Sequence, residues 1–340
     1  MQVAVTRSHA LREIWTLSFL RSLLSEYVGT TVFVFASLAS TLLWPLPPDL
    51  SGGAPMDPHH PLLPVPAGSP DPVHVSLTFG ISVALMLACL GTAGAVHLNP
   101  AVTLSLLAGV RMSLASALLY MIAQVLGAIT ASGFIRSVTP PEVRGDLGLN
   151  VISVWGSLEN VSTVCTHTLF LTRQPCYLPV PDAATTTTTT MLHPWSDITQ
   201  VTPGVSEFQA VCVEMMVTFQ LILCVFATSD QKAGLSKMAP VIVGSSVTLG
   251  HLVAIGFTGC SMNPARSLGP AIIAANFESH WVFWVGPFTG ALLATVTYDL
   301  LLVPRWNSIG DWLAGVRSAL VGDGGLKLNG TSDEEDGRAT

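Results

Sequence analysis

Two copies of the tripeptide Asn-Pro-Ala constrain the fold of this chain more than any other feature. They are Asn99, Pro100 and Ala101 in the first half and Asn263, Pro264 and Ala265 in the second. Each copy follows a strongly apolar stretch and begins another apolar run, over residues 100–107 and 264–274. A helix rises about 1.5 Å per residue, so these runs reach only half-way through a hydrocarbon core of about 30 Å. The pattern predicts two half-helices that build a site at the middle of a membrane.

The rest of the chain is also typical of a membrane protein. Half of the residues are hydrophobic, only a tenth are charged, and the mean hydropathy is +0.57, which leaves no room for a large soluble domain. Long apolar stretches predict six spans, at 14–43, 73–92, 115–135, 208–228, 238–257 and 281–303. The first of them lacks a convincing cleavage site and is expected to stay as an anchor. The predicted fold is an all-α membrane protein with six transmembrane helices and two re-entrant half-helices.

The two halves of the chain repeat one another. Glu26-x-x-Gly-Thr in the first span parallels Glu214-x-x-Val-Thr in the fourth, and Gln124-x-x-Gly-Ala in the third parallels Pro287-x-x-Gly-Ala in the sixth. Small residues at such positions let helices approach closely, and three spans repeated twice give halves of opposite orientation. The predicted organisation is an N-terminus at 1–12, a first repeat at 13–136 with its half-helix at 99–110, an outer loop at 137–206, a second repeat at 207–304 with its half-helix at 263–274, and a tail at 305–340.

The basic residues predict the orientation in the membrane, because cytoplasmic loops carry an excess of Lys and Arg. If both termini are cytoplasmic, one side holds Arg7, Arg12, Arg21, Arg111, Lys232, Lys237, Arg305, Arg317, Lys327 and Arg338. The other side holds only Arg136, Arg144 and Arg173 in its loops, so we expect both termini to be cytoplasmic. The net charge of -7 comes partly from the acidic tail at 333–336 and gives no support for nucleic-acid binding.

Three stretches carry a specific resemblance. His97-Leu-Asn-Pro-Ala-Val-Thr103, Thr258-Gly-Cys-Ser-Met-Asn-Pro-Ala-Arg-Ser267 and His280-Trp-Val-Phe-Trp-Val-Gly-Pro287 resemble the water-selective members of the aquaporin family, and the likeness extends over about residues 11–306. The resemblance implies a passive, water-selective channel of the plasma membrane without a cofactor, assembled as a homotetramer. Two alternatives stay open: an aquaglyceroporin, although Ser267 stands where such proteins usually have Asp, or a junction or adhesion protein with little conduction.

The chemistry of the tripeptide supports a pore. Proline is tolerated at the first helical position and asparagine is a strong N-cap, so each Asn can hold its own helix end. If the half-helices meet head to head, their positive dipole ends point at one spot, and amide N–H groups of Asn99 and Asn263 can donate to a passing water. A cation would be repelled there. The family resemblance implies that this arrangement also opposes proton relay.

A second constriction is predicted at Phe79, His251, Cys260 and Arg266, which occupy the filter positions that the resemblance implies, with His97 in the cytoplasmic vestibule. An arginine in a narrow pore supplies a fixed positive charge and hydrogen-bond donors. The histidine adds a polar edge, and the phenylalanine narrows the pore. Taken singly, Phe79 would be a lipid-facing or core residue and Cys260 a small buried hydrophobic residue. Placing an arginine against lipid in the membrane costs about 2.5–3.5 kcal/mol of free energy, so we expect Arg266 to lie on a polar pore wall.

Two buried carboxylates and the cysteines complete the candidate residues. We expect Glu26 and Glu214 to accept hydrogen bonds from the irregular backbone before each half-helix; the alternative role is a proton relay. The remaining cysteines of the spans, Cys89, Cys212 and Cys224, show no metal-ligand spacing, so no metal site is predicted. The chain also has no phosphate-binding loop or readable nucleophile motif, so we predict that it is not an enzyme.

The outer loops depart from the family pattern. Ten prolines occur within residues 44–72, and about fifty residues separate Asn150 from Gly204. That insert holds a candidate glycosylation site at Asn160 and a possible disulfide between Cys165 and Cys176. The insert could equally be retained non-coding sequence. The polar, acidic tail from residue 307 onward predicts a flexible cytoplasmic end.

Overall fold

The computed structural model describes residues 16–42, 70–91, 94, 96–145, 147–150, 205–230, 234–306 and 308–321 of the chain. The predictions for the N-terminus, for most of the proline-rich loop, for Asn160, for Cys165 and Cys176, and for the end of the tail lie outside these residues. The described part of the chain contains helices and turns but no strand, as the predicted fold class requires.

Within the described residues, six helices are long and apolar enough to cross a membrane, which confirms the six predicted spans. Two shorter helices begin at the prolines of the two tripeptides, where the half-helices were predicted. In chain order the helices are α1 (Leu17–Ala39), α2 (Pro72–Leu90), the half-helix α3 (Pro100–Ala108), α4 (Leu114–Val138), α5 (Glu207–Ser229), α6 (Ala239–Thr258), the half-helix α7 (Pro264–Ala274), α8 (Val282–Val296) and α9 (Ile309–Val321).

Local sequence signals fix where several of these helices begin and end. The side chain of Asp71 caps α2, whose first residue is a proline. Ser206 and Gln209 form a reciprocal capping box at the start of α5. Gly259 ends α6 with a φ of 69°, a left-handed conformation that glycine adopts without steric cost.

The polarity of the helix bundle is that of a multi-pass membrane protein. Large apolar side chains cover the outside of the spans; Ile81, Leu126 and Val253, for example, are each more than half exposed. Polar and charged side chains lie inside instead, and both Glu26 and Glu214 are completely buried. Such a distribution suits a lipid surround with a polar interior.

The packing follows the inverted repeat. Helix α1 packs on α4 in the first repeat, and α5 packs on α8 in the second. Helices α2 and α6 pack on each other across the repeats. Each half-helix packs mainly on a span of the opposite repeat, α3 on α8 and α7 on α4. The small residues noted in the sequence lie at close backbone contacts. A Cβ at Gly127 would lie 2.6 Å from the carbonyl oxygen of Tyr27, and one at Gly290 would lie 2.2 Å from that of Met215.

The end of the chain differs from the sequence-based expectation. Helix α8 continues as a π-helical segment, Thr297–Leu302, and the tail forms helix α9 where a flexible end was expected. That expectation is wrong for residues 309–321 because aromatic contacts fix the helix. The indole N–H of Trp312 donates to the carbonyl of Ala108 at 3.0 Å, and Trp306 packs against Gly315, where a Cβ would lie 2.7 Å from the ring.

Candidate functional site

The two half-helices begin at the middle of the bundle, and an asparagine caps each of them. Oδ1 of Asn99 accepts the backbone N–H of Ala101 at 2.8 Å. Oδ1 of Asn263 accepts the N–H groups of Ala265 and Arg266 at 3.0 and 3.3 Å. Both asparagine backbones are extended and a proline follows each, which is the local geometry that the tripeptide predicts.

The same asparagines tie the two half-helices together. Nδ2 of Asn99 donates to the carbonyl of Met262, and Nδ2 of Asn263 donates to the carbonyl of Leu98, each at 2.8 Å. Leu98 and Met262 have φ values of 60° and 53°, and these unusual backbone angles direct their carbonyls across the interface. An amide nitrogen carries two hydrogens, so each asparagine keeps one donor beyond this bond.

A buried carboxylate supports each of the loops that lead into a half-helix. In the first half, Glu26 accepts the backbone N–H groups of His97 and Leu98 at 2.5 and 2.8 Å and the side-chain amide of Gln124 at 2.8 Å. Gln124 also donates to the hydroxyl of Thr103 on α3 at 2.9 Å. This network satisfies loop N–H groups that could find no partner in lipid.

The second carboxylate has an equivalent place in the other half. Glu214 accepts the N–H groups of Ser261 and Met262, each at 2.8 Å, and the hydroxyl of Thr258 at 2.6 Å. Thr258 lay within the quoted family motif, but its role as a partner of Glu214 was not predicted. Each carboxylate thus receives three hydrogen bonds, two of them from the backbone of a re-entrant loop.

Three of the predicted filter residues lie in direct contact. The rings of Phe79 and His251 have centroids 4.0 Å apart, and Cζ of Arg266 lies 5.1 Å from the centroid of Phe79. Nδ1 of His251 lies 2.9 Å from the carbonyl of Val247, which can only accept, so this nitrogen carries the proton. Nε2 of His251 is therefore an acceptor, and it has no hydrogen-bond partner among the described residues. Cys260, the fourth residue predicted for the filter, is fully buried in the same hydrophobic cluster as Phe79.

A loop outside the predicted site holds Arg266 in place. Its Nη1 donates to the carbonyl of Gly148 at 2.8 Å and to Oδ1 of Asn150. The same Oδ1 accepts the hydroxyl of Ser267, and Nδ2 of Asn150 donates to the carbonyl of Thr258 at 3.0 Å. In the described part of the chain, the hydrogen on Nε of Arg266 has no acceptor. Sequence reasoning missed Asn150 as a site residue and identified it only as the residue before the long insert of the outer loop.

A cavity of about 750 Å³ within the bundle is lined by several of these residues. Its lining includes Arg111, Ser113 and Lys237 as well as His97, both capping asparagines and His251. The part of this cavity that is lined by Arg111, Ser113, Lys237 and His97 is called the vestibule below. His97 is fixed there, since its Nδ1 lies 3.1 Å from the hydroxyl of Thr103 and its ring packs on Tyr120.

The comparisons with known proteins agree with this architecture. A family model described as Major intrinsic protein matches residues 13–298. Aquaporin-5 of Sus scrofa is 36% identical over 308 residues, which cover 90% of this chain and 90% of that protein. Lens fiber major intrinsic protein of Canis lupus familiaris is 34% identical over 325 residues, 94% of this chain and 96% of that protein. The chain belongs to the major intrinsic protein family.

As a member of this family, the protein is an aquaporin-type membrane channel, and the family is one of channels and not of enzymes. A solved structure, the aquaglyceroporin from Plasmodium falciparum, has the same fold with a TM-score of 0.56 at 18% identity. The match covers 84% of this chain and 98% of that one. The recognition of the family and the predicted inverted-repeat fold are therefore confirmed.

Proposed function

We propose that this aquaporin-family protein conducts water passively along osmotic gradients and excludes glycerol, ions and protons. The observation that carries the proposal is a pair of polar atoms at the filter positions that have no hydrogen-bond partner within the described ranges. Nε2 of His251 can only accept and the N–H at Nε of Arg266 can only donate, and both atoms are buried against Phe79. A water molecule satisfies both requirements, whereas the packed phenylalanine ring leaves little space for a carbon chain.

The midplane of the pore supplies the second part of the proposal. Asn99 and Asn263 each have one amide hydrogen that is not used in bonding the half-helices together. A water oxygen that accepts both of these hydrogens must point its own hydrogens outward. The positive ends of α3 and α7 meet at the same place and oppose a cation. We expect this arrangement to interrupt a proton relay along the water file.

The topology and assembly are also proposals. We propose that both termini are cytoplasmic, because the basic residues concentrate on that side, and that the protein resides in the plasma membrane. The vestibule would then open to the cytoplasm and the filter would face the exterior. We further propose a homotetramer with one pore per subunit, by analogy with the family.

The test is stopped-flow light scattering of proteoliposomes that contain the full chain, first with sucrose and then with glycerol as the osmolyte. We expect rapid shrinkage in both, without the re-swelling that glycerol entry produces. Glycerol entry would identify an aquaglyceroporin, and flow no faster than in empty liposomes would contradict conduction and favour the junction role.

Two variants connect the flow to the filter. Arg266→Val removes the charge and the donors, and we expect it to admit glycerol or ions. A mercurial should inhibit the wild-type channel through Cys260, and Cys260→Ser should conduct water without this inhibition. Cys224→Ser, which changes a partly buried cysteine of α5, is the matched control and should retain the inhibition.

A further inference from the structure

An ion pair lies beside the opening of the vestibule, outside the proposed filter. Nη1 and Nη2 of Arg111 donate to the two carboxylate oxygens of Asp299 at 2.7 and 2.6 Å. The side chain of Asp299 is completely buried, whereas that of Arg111 is 19% exposed and lines the cavity. The pair therefore joins a residue on the pore wall to a carboxylate that water does not reach.

Three elements shape the place that the guanidinium occupies. Its Cζ lies 4.1 Å from the ring centroid of Phe226 on α5, a cation–π contact. Gly109, at the end of α3, leaves the necessary space, because a Cβ there would lie 2.0 Å from Nη1 of Arg111. Asp299 belongs to the π-helical end of the last span, and its carbonyl accepts the N–H of Arg305 at 2.9 Å. The arginine is thus held in one defined position.

The carboxylate decides whether Arg111 stays in this position. A guanidinium that loses its partner cannot remain among apolar groups without a large desolvation cost, so its side chain turns to the nearest water. For Arg111 that water is in the vestibule, which Lys237 already lines with another cation. The long, flexible arginine would then lie across the path of water.

We propose that Asp299 is a positioning residue that holds Arg111 against the wall and so keeps the vestibule open. The inference rests on the proposed water conduction, because an obstructed vestibule is detected only as reduced water flow. It predicts that loss of the carboxylate lowers water permeability only while Arg111 is present. If the ion pair were purely structural, loss of the carboxylate would lower permeability whether or not Arg111 is present.

The experiment measures water permeability per channel in proteoliposomes for the full chain and three variants. Asp299→Asn should lower the permeability per channel at least about threefold. The reason is that loss of hydrogen bonds to a charged partner shifts the equilibrium between the wall and vestibule positions of Arg111 by about tenfold or more. The double variant Arg111→Leu with Asp299→Leu should restore it to within about twofold of wild type, because apolar residues often replace a buried ion pair without loss of folding. Asp311→Asn, an exposed acidic residue on α9, is the matched control and should conduct as wild type.

The outcomes separate the two proposals. If the wild type itself does not conduct, the proposed function fails. If the wild type conducts but Asp299→Asn conducts equally well, or if the double variant stays as slow as Asp299→Asn, the positioning role is overturned. If Asp299→Asn does not fold, the double variant decides alone, and a permeability far below wild type contradicts the proposal.

Discussion

Among single residues, the two buried carboxylates show best how an intramembrane charge can support a channel. Glu214 accepts three hydrogen bonds through both of its oxygens. In Glu214→Gln one of these oxygens becomes an NH₂ group that faces another donor, so a buried donor loses its acceptor. We expect the variant to lose about 1–3 kcal/mol of stability. Thermal unfolding in detergent measures the loss, and Glu278→Gln, at an exposed position, should unfold as wild type does.

His280, between α7 and the last span, should make the stability depend on pH. Burial lowers the pKa of this histidine from 6.5, and no residue that the structure describes forms a hydrogen bond with its Nε2. Between the lowered folded pKa and 6.5 the unfolded chain binds more protons than the folded one. Stability is therefore retained above about pH 6.5 and falls as the pH decreases below it.

A melting series from about pH 7.5 to 5.5 tests this expectation. His280→Phe keeps an aromatic ring among Phe277, Phe283 and Trp284 but cannot be protonated, so part of the acid-induced loss should disappear. His74→Phe, at an exposed position on α2, should retain the wild-type pH dependence. An unchanged dependence in His280→Phe would assign the acid sensitivity to other groups.

Among the helices, close backbone packing between α5 and α8 should limit what position 290 tolerates. A Cβ at Gly290 would lie 2.2 Å from the carbonyl oxygen of Met215, so Gly290→Ala must force the two helices apart. We expect a loss of about 1–3 kcal/mol. Gly256→Ala on α6 is the control, since no described atom beyond its own helix backbone and its chain neighbours would lie within 4 Å of the added Cβ, and it should be neutral or stabilising by about 0.4–1 kcal/mol. Equal unfolding temperatures for the two variants would contradict this account.

The helices themselves could be predicted because local signals specify them. The length of the apolar stretches predicted the six spans. Asn99 and Asn263, each followed by a proline, predicted where the half-helices begin. The partners of the pore residues depend instead on folding of distant segments. Asn150 reaches Arg266 across 116 positions in the chain, and no periodic pattern encodes such a contact. The π-helical segment that presents Asp299, and the docking of α9 through Trp312, are likewise tertiary effects that override local composition.

For the whole molecule, the inverted repeat makes the two capping asparagines equivalent. Each caps its own half-helix and donates to the loop of the opposite half, so neither half of the pore is complete without the other. In Asn99→Asp or Asn263→Asp the carboxylate can still accept at the helix end but cannot donate across the interface. It also places a negative charge where two positive helix ends otherwise oppose cations.

We therefore expect both variants to leak protons, and to a similar extent. A decrease of about 1.4 kcal/mol in the barrier would raise proton flux about tenfold. A pH-sensitive dye inside proteoliposomes, with a potassium gradient to drive the flux, measures this change. Asn276→Asp, in the loop after α7, is the matched control and should stay proton-tight. A leak from one variant alone would mean that the exclusion of protons resides in one half of the molecule, and a leak from neither would assign it to the filter around Arg266.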